Sequence, residues 1–143
     1  MRHIIVLALL SLLAACGKPG PIDCMGLDLE ASERCFEDKR GSGWATAMIA
    51  CFPFSQPLTT QGVWVVGFEK NDFFEGLQRP PKEVLWTDHT GAELIVDEAI
   101  FQPTNETRAF EVAVRGRRAL CPLDVINPYP IAVEKLQIKR RIA

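Results

Sequence analysis

The segment Arg108-Ala-Phe-Glu-Val-Ala-Val-Arg115 alternates in its side-chain character. One of its two sets of alternating residues, here called a phase, is apolar and consists of Phe110, Val112 and Val114. Its second phase consists of Ala109, Glu111, Ala113 and Arg115. Because successive side chains of a strand point to opposite faces of a sheet, this period of two predicts a strand buried on one face. An antiparallel sheet packed on a core has this pattern.

Two segments nearer the N-terminus are apolar in both phases. They are residues 44–52 (WATAMIACF) and residues 63–68 (VWVVGF). Burial on both faces is typical of central strands, so both segments are predicted to be strands. The proline- and glycine-containing stretch between them predicts a loop.

Three further strands are predicted on the C-terminal side. Residues 84–86 and 92–100 flank Thr-Asp-His-Thr-Gly at 87–91, which is typical of a hairpin turn. In the last segment, Ile131 and Val133 share one phase, whereas Leu136 and Ile138 share the other. A strand there requires a β-bulge near Glu134 or Lys135.

These segments predict a mainly β fold of about six strands. The arrangement is either a small antiparallel barrel, similar to an OB fold, or a sandwich similar to an immunoglobulin domain. Residues 22–40 are weakly patterned, so we expect a short irregular or helical N-terminal segment, with a helical turn or two within 27–36. One β-rich domain then spans residues 22–143.

The N-terminus has the parts of a secretory signal: Arg2 and His3, a short aliphatic run, and then small residues. The tetrapeptide Leu13-Ala14-Ala15-Cys16 resembles the lipobox of bacterial lipoproteins. That resemblance implies removal of residues 1–15 and attachment of a diacylglycerol to Cys16. Residues 16–21 then form the lipidated cysteine and a short tether to the domain.

The same resemblance implies a location in the bacterial cell envelope. Two or more acyl chains on Cys16 give stable membrane attachment, with the domain facing the periplasm. Gly17 stands where an aspartate retains many such proteins at the inner membrane, which favours the outer membrane. The formal net charge of the chain is −2, and we therefore expect no nucleic-acid partner.

Assigning Cys16 to lipid leaves four cysteines, Cys24, Cys35, Cys51 and Cys121, in an oxidising compartment. Two disulfides are the expected result, and three pairings are possible. The first expectation is a local Cys24–Cys35 bridge and a long-range Cys51–Cys121 bridge. A zinc site is the alternative, but close CxxC spacing is absent. We expect neither a metal site nor a cofactor.

The sequence offers little for catalysis. His89 is the one imidazole after residue 15, and it lies in the predicted turn. No phosphate-binding glycine loop is present. The carboxylate pairs Asp72/Glu75 and Asp97/Glu98 are the remaining enzymatic candidates. A non-catalytic role is therefore favoured over an enzyme.

Three groups are candidates for binding a partner. Phe73 and Phe74 lie in a predicted polar loop, and Tyr129 lies between two prolines. Exposed aromatics often anchor an interface, although these three also suit a role in covering the core. The third group is Arg115, Arg117 and Arg118, which suit a carboxylate or phosphate or simple solvation.

The leading hypothesis is a lipid-anchored, disulfide-bonded β-domain that binds an envelope protein or a cell-wall partner. It is held to the membrane through its N-terminal lipid, and its binding residues are the six candidates just named. Two other hypotheses are a periplasmic inhibitor of a secreted hydrolase and a weak enzyme using a carboxylate pair.

Replacing the cysteine of the lipobox tests the anchor. Cys16→Ser removes the sulfur that accepts the diacylglycerol, so we expect no incorporation of labelled fatty acid and release of the protein from the membrane fraction. Cys121→Ser, which leaves the lipobox intact, is the control and should still be labelled. Labelling that persists in Cys16→Ser contradicts both the location and the assignment of the cysteines.

Overall fold

The computed structural model describes residues 24–67, 70–81, 91–102, 104–123 and 128–142. The predicted signal, Cys16, the tether, the first hairpin arm and His89 lie outside these residues. The described helices are α1 (Leu29–Lys39) and α2 (Trp44–Cys51). The described strands are β1 (Leu58–Gly67), β2 (Lys70–Glu75), β3 (Leu94–Ile95), β4 (Arg108–Arg118) and β5 (Ile131–Arg141).

The five strands form one sheet in the order β2-β1-β4-β5-β3. The β2–β1, β1–β4 and β4–β5 pairs are antiparallel, and β3 runs parallel to β5. The sheet curls until it is nearly closed into a barrel. The prediction of a mainly β fold is confirmed, and of its two forms the barrel is the one that this single sheet adopts.

The central strand is β4, which pairs with β1 on one side and with β5 on the other. As predicted, Phe110, Val112 and Val114 are buried. They join Trp64 and Phe73 in the barrel interior, which also contains Val66, Leu94, Ile131 and Val133. The alternation of β4 therefore places its apolar phase inside the barrel.

The predicted bulge in the last strand is confirmed. Lys135 lies opposite Arg115 and Val133 lies opposite Gly116, so Glu134 is an extra residue in β5. The bulge returns Leu136 to the phase of Val133, and Leu136 packs against the barrel core. A second register shift leaves Lys139 as an extra residue, because Ile138 lies opposite Val112 while residue 140 lies opposite residue 111.

The two ends of the sheet meet at a seam between β2 and the segment that leads into β3. Phe73 and Ala92 exchange two backbone hydrogen bonds of 2.8 and 3.0 Å. Beyond this pair of residues, the hydrogen bonds across the seam come from the side chain of Asn71 rather than from the backbone. Its Nδ2 donates to the Leu94 carbonyl (2.8 Å), and its Oδ1 accepts from the Leu94 N–H (3.3 Å) and from Trp64 Nε1 (2.8 Å). One amide thus closes the barrel and satisfies a buried indole.

The prediction of a strand at residues 44–52 is wrong, because this segment forms helix α2. A continuous apolar run fits a buried strand or a buried helix equally well, and alanine favours the helix. The helix begins after Gly43, whose φ of +111° is costly for other residues. The Asp97 carboxylate then accepts the Ala45 N–H at 2.7 Å and the Thr46 hydroxyl at 3.3 Å. A distant residue therefore caps α2, and residues 44–51 contribute no strand to the sheet.

The predicted number of disulfides is confirmed, but the predicted pairing is wrong. Cys35 pairs with Cys51, and Cys24 pairs with Cys121. The turn at residues 40–43 folds α2 back against α1, which brings Cys35 and Cys51 to a Cα–Cα distance of 5.6 Å. Cys24 is then left to cross-link the N-terminal end of the domain to the chain beyond β4.

Two loop and hairpin predictions also need correction. The segment with Phe73 and Phe74 is strand β2 rather than a polar loop. Of residues 92–100, predicted as one hairpin arm, only Leu94–Ile95 is a strand, and it pairs in parallel with β5. A turn follows at residues 98–100. It precedes Phe101, whose ring packs edge-on against Trp64 and Phe110.

Removing the seam amide tests how far the barrel depends on it. Asn71→Ala leaves the Trp64 indole N–H and the Leu94 backbone without these partners, and we expect the free energy of unfolding to fall by about 2–4 kcal/mol. Urea denaturation under oxidising conditions measures this change. The exposed Asn105 provides the control, since Asn105→Ala should change stability by less than about 0.5 kcal/mol. Equal losses in both variants contradict the role of the amide.

Candidate functional site

A cleft of about 310 Å³ lies between helix α2 and the barrel seam. Trp44 and Met48 of α2 line one side. The remaining lining residues come from the seam, from β3 and from the loop before β5; they are Asn71, Glu93, Leu94, Ile95, Val96, Leu123 and Pro130. Most of these side chains are apolar, which is typical of small-ligand and side-chain pockets.

The position of α2, and thus of this wall, is fixed by contacts at both of its ends. At the N-terminus the Asp97 carboxylate fills the space beside Gly43, where a Cβ would lie 2.5 Å from Asp97 Oδ2. At the C-terminus the Cys35–Cys51 disulfide ties α2 to α1. Since both ends are held, the cleft is a preformed feature of the fold.

Trp44 is the aromatic residue at the edge of the cleft. It is 59% exposed, and its ring packs edge-on against Phe36 of α1 with ring centroids 5.1 Å apart. A tryptophan held by a neighbour while most of its surface faces solvent loses little side-chain entropy on binding. Trp44 is therefore well suited to anchor a partner.

Two polar side chains face the otherwise apolar cleft. Asn71 Nδ2 lies 3.5 Å from Glu93 Oε1, so the seam amide and a carboxylate are neighbours in the lining of the cleft. A few polar groups in an apolar pocket fix the orientation of what binds there. The arrangement suits an apolar group that carries a hydrogen-bond donor.

The six predicted binding residues do not form one surface. Phe73 is 1% exposed and lies in the barrel core, while Phe74 is 8% exposed and packs on the outer side of the sheet with Val63 and Val65. These two rings therefore cover and fill the core, the alternative role that the sequence also allowed.

The three arginines lie at the C-terminal end of strand β4 and each faces a carboxylate. Arg117 Nε is 2.7 Å and Arg115 Nε is 3.9 Å from Glu134. Arg118 is 2.8 Å from Glu75. Pairs of this kind at a surface contribute little to stability, and they balance the positive charge locally.

Tyr129 is the predicted binding residue that adjoins the cleft. Its side chain is 46% exposed, and it directly precedes Pro130, which lines the cleft. The backbone of this loop is held by a hydrogen bond from the Leu123 N–H to the Pro128 carbonyl at 2.9 Å. Tyr129 is thus an exposed aromatic residue that adjoins a cleft residue in the sequence.

The carboxylates considered for catalysis have separate structural roles. Asp72 is buried with Lys70 Nζ at 3.6 Å, whereas Glu75 lies three residues along β2, on the opposite face, and accepts the Thr60 hydroxyl at 2.6 Å. Asp97 caps α2. Glu98 is exposed in the following turn. Neither pair forms a facing carboxylate dyad.

The sequence does not predict the cleft, because Trp44 and Met48 line it only when residues 44–51 form a helix rather than the predicted strand. Glycine before an alanine-rich run was the available signal for a helix. Asn71 had no such signal, since its partners in β1 and β3 lie far away in the sequence.

No family model, curated protein or solved structure matches this chain. Neither of the described helices is long and apolar enough to cross a membrane. The geometry of the cleft is therefore the main guide to function.

Removing the cap of α2 tests what holds the cleft wall in place. In Asp97→Ala the Ala45 N–H loses its acceptor, and we expect the free energy of unfolding to fall by about 1–2 kcal/mol with faster hydrogen exchange at Ala45. Asp97→Asn keeps an oxygen acceptor and should lose markedly less. If Asn and Ala are equally destabilising, the cap is not what positions the helix.

Proposed function

We propose that this chain is a lipid-anchored protein of the bacterial cell envelope whose domain faces the periplasm and binds an envelope partner without catalysing a reaction. The observation that carries this proposal is the preformed apolar cleft with the exposed Trp44 at its edge. Tryptophan anchors that sit in well-packed surroundings dominate many binding energies.

The size and lining of the cleft favour a protein partner. A volume of about 310 Å³ is at the lower limit of small-molecule pockets and accommodates one or two large side chains. Met48 on the cleft wall adapts its shape to different apolar groups. Tyr129 beside the cleft adds contact area at low entropic cost.

The cross-link from Cys24 supports a position of the cleft close to the proposed anchor. Residues 17–23 separate Cys16 from Cys24, so the chain between these two cysteines reaches roughly 28 Å at full extension. Cys24 is bonded to Cys121, two residues before the cleft residue Leu123. A lipidated Cys16 would therefore hold the cleft near the membrane, where tethering raises the effective concentration of a membrane-bound partner.

The two disulfides also support this location. Disulfides persist in oxidising compartments such as the periplasm and are rare in the cytosol. Together with the lipobox-like tetrapeptide they are consistent with export and anchoring, and Gly17 favours the outer membrane.

A photo-crosslinking amino acid at Met48, in cells producing the full-length chain, tests the binding role. We expect one dominant adduct that is not formed when the same amino acid replaces the exposed Gln102, which lies outside the cleft. Mass spectrometry of the adduct identifies the partner.

Two variants then assign the adduct to the cleft. Trp44→Ala should reduce its yield about tenfold or more, the loss typical of an interface anchor. Ile100→Ala removes another exposed apolar side chain, outside the cleft, and should not change the yield. Adducts that are insensitive to Trp44→Ala, or that form equally from residue 102, contradict the proposed function.

A further inference from the structure

Within the part of the chain that the structure describes, the second half of strand β5 has an unpaired edge. This strand spans eleven residues and pairs along its length with β4. On its other side β3 pairs only with Ile131 and Ala132. Among the strands that the structure describes, none pairs with residues 133–141 on that side, and seven of the last eight residues of β5 are exposed.

The ladder identifies the backbone groups on this edge. The Ile131 N–H points away from β4, since it donates to the Glu93 carbonyl beside β3 at 2.8 Å. The Ile142 N–H points toward β4, since it donates to the Ala109 carbonyl at 2.7 Å. Successive N–H groups along a strand point alternately toward and away from a neighbouring strand, and each bulge adds one residue to this alternation. Followed from Ile131 to Ile142, the alternation directs the N–H groups of Leu136 and Ile138 away from β4.

The charged side chains along this edge are mostly basic. The exposed half of β5 contains one acidic residue, Glu134, and four basic ones, Lys135, Lys139, Arg140 and Arg141. Glu134 is already close to Arg117, and Lys139 Nζ bonds the neutral Gln61 side chain. Arg140 pairs with Glu111, and Arg141 interacts electrostatically with Glu106, so the excess of positive charge rests mainly on Lys135 and Lys139. The edge therefore carries a net positive charge.

The positive charge of this edge favours some partner strands over others. A second copy of β5 would bring like charges together along the new pair, which is destabilising. A strand with acidic side chains would instead gain cross-strand pairs with the lysines and arginines.

We propose that the edge of β5 from residue 133 to residue 141 binds an extended, acidic segment of another protein by strand addition. The backbone of the segment bonds the outward N–H and carbonyl groups, while its carboxylates face the basic side chains. This surface lies on β5 rather than in the cleft, so its failure would leave the cleft proposal intact.

The probe is a fluorescently labelled nonapeptide of alternating glutamate and valine, titrated into the full-length chain purified in detergent. We expect saturable binding that weakens as salt is raised, and slower hydrogen exchange at the Leu136 and Ile138 amides. A nonapeptide of alternating lysine and valine should not bind.

Two sets of variants assign binding to the edge. Ile138→Pro removes an outward N–H without removing a bond to β4, and should weaken binding about fivefold, the change expected for one hydrogen bond. Ile138→Val keeps that N–H and should bind as the parent does. The double variant Lys135→Glu/Lys139→Glu should reject the glutamate peptide and accept the lysine peptide.

Three results would overturn the proposal. The first is no binding and no slowing of exchange at Leu136 and Ile138, which would assign the charges only a protective role against aggregation. The second is binding that the double charge reversal Lys135→Glu/Lys139→Glu does not alter, whether or not Ile138→Pro folds. The third is a dimer in light scattering that is lost in Ile138→Pro, which would make a second copy the occupant.

Discussion

The side chain of Asn71 makes the contact on which the rest of the structure depends. A sheet of five strands has two ends, and in this chain the strand that could join them is only two residues long. Two backbone bonds at Phe73 and Ala92 begin the closure, and the Asn71 amide continues it by bonding both backbone groups of Leu94. Because the same amide accepts the Trp64 indole N–H, one side chain links the barrel core to the seam.

The helical layer depends on that seam in turn. Asp97 follows β3 closely, so the position of its carboxylate is set by where β3 joins the sheet, and that carboxylate determines where α2 begins. The disulfide between the helices then fixes the other end of α2. The cleft is the space left between the two layers, and its shape follows from the seam, the cap and the cross-link rather than from any single segment.

Features that depend on neighbouring residues could be predicted from the sequence, and features that depend on distant ones could not. The alternation in β4 and the phase change that demands a bulge at Glu134 are both local, and both predictions were confirmed. The continuous apolar run at residues 44–51 fits a strand or a helix locally, and the Asp97 cap that supports the helix comes from far along the chain. The disulfide pairing follows from the helical hairpin, so both predictions were wrong. The cleft was missed for the same reason, because Trp44 and Asn71 meet only after the chain has closed. The roles of Cys16 and of the binding residues stay predictions.

The Cys24–Cys121 disulfide also determines how the domain responds to mechanical load. Tension between the chain ahead of Cys24 and the chain beyond Cys121 passes through this covalent bond, and Cys121 follows the central strand β4 by three residues. Without this disulfide, the same force would first detach helix α1 from the rest of the domain, because α1 is the next helix along the chain. With it, α1 and α2 lie inside a covalent loop, so a load between those two parts of the chain bypasses them. A domain held at its N-terminus can therefore be pulled while its helical layer keeps its shape.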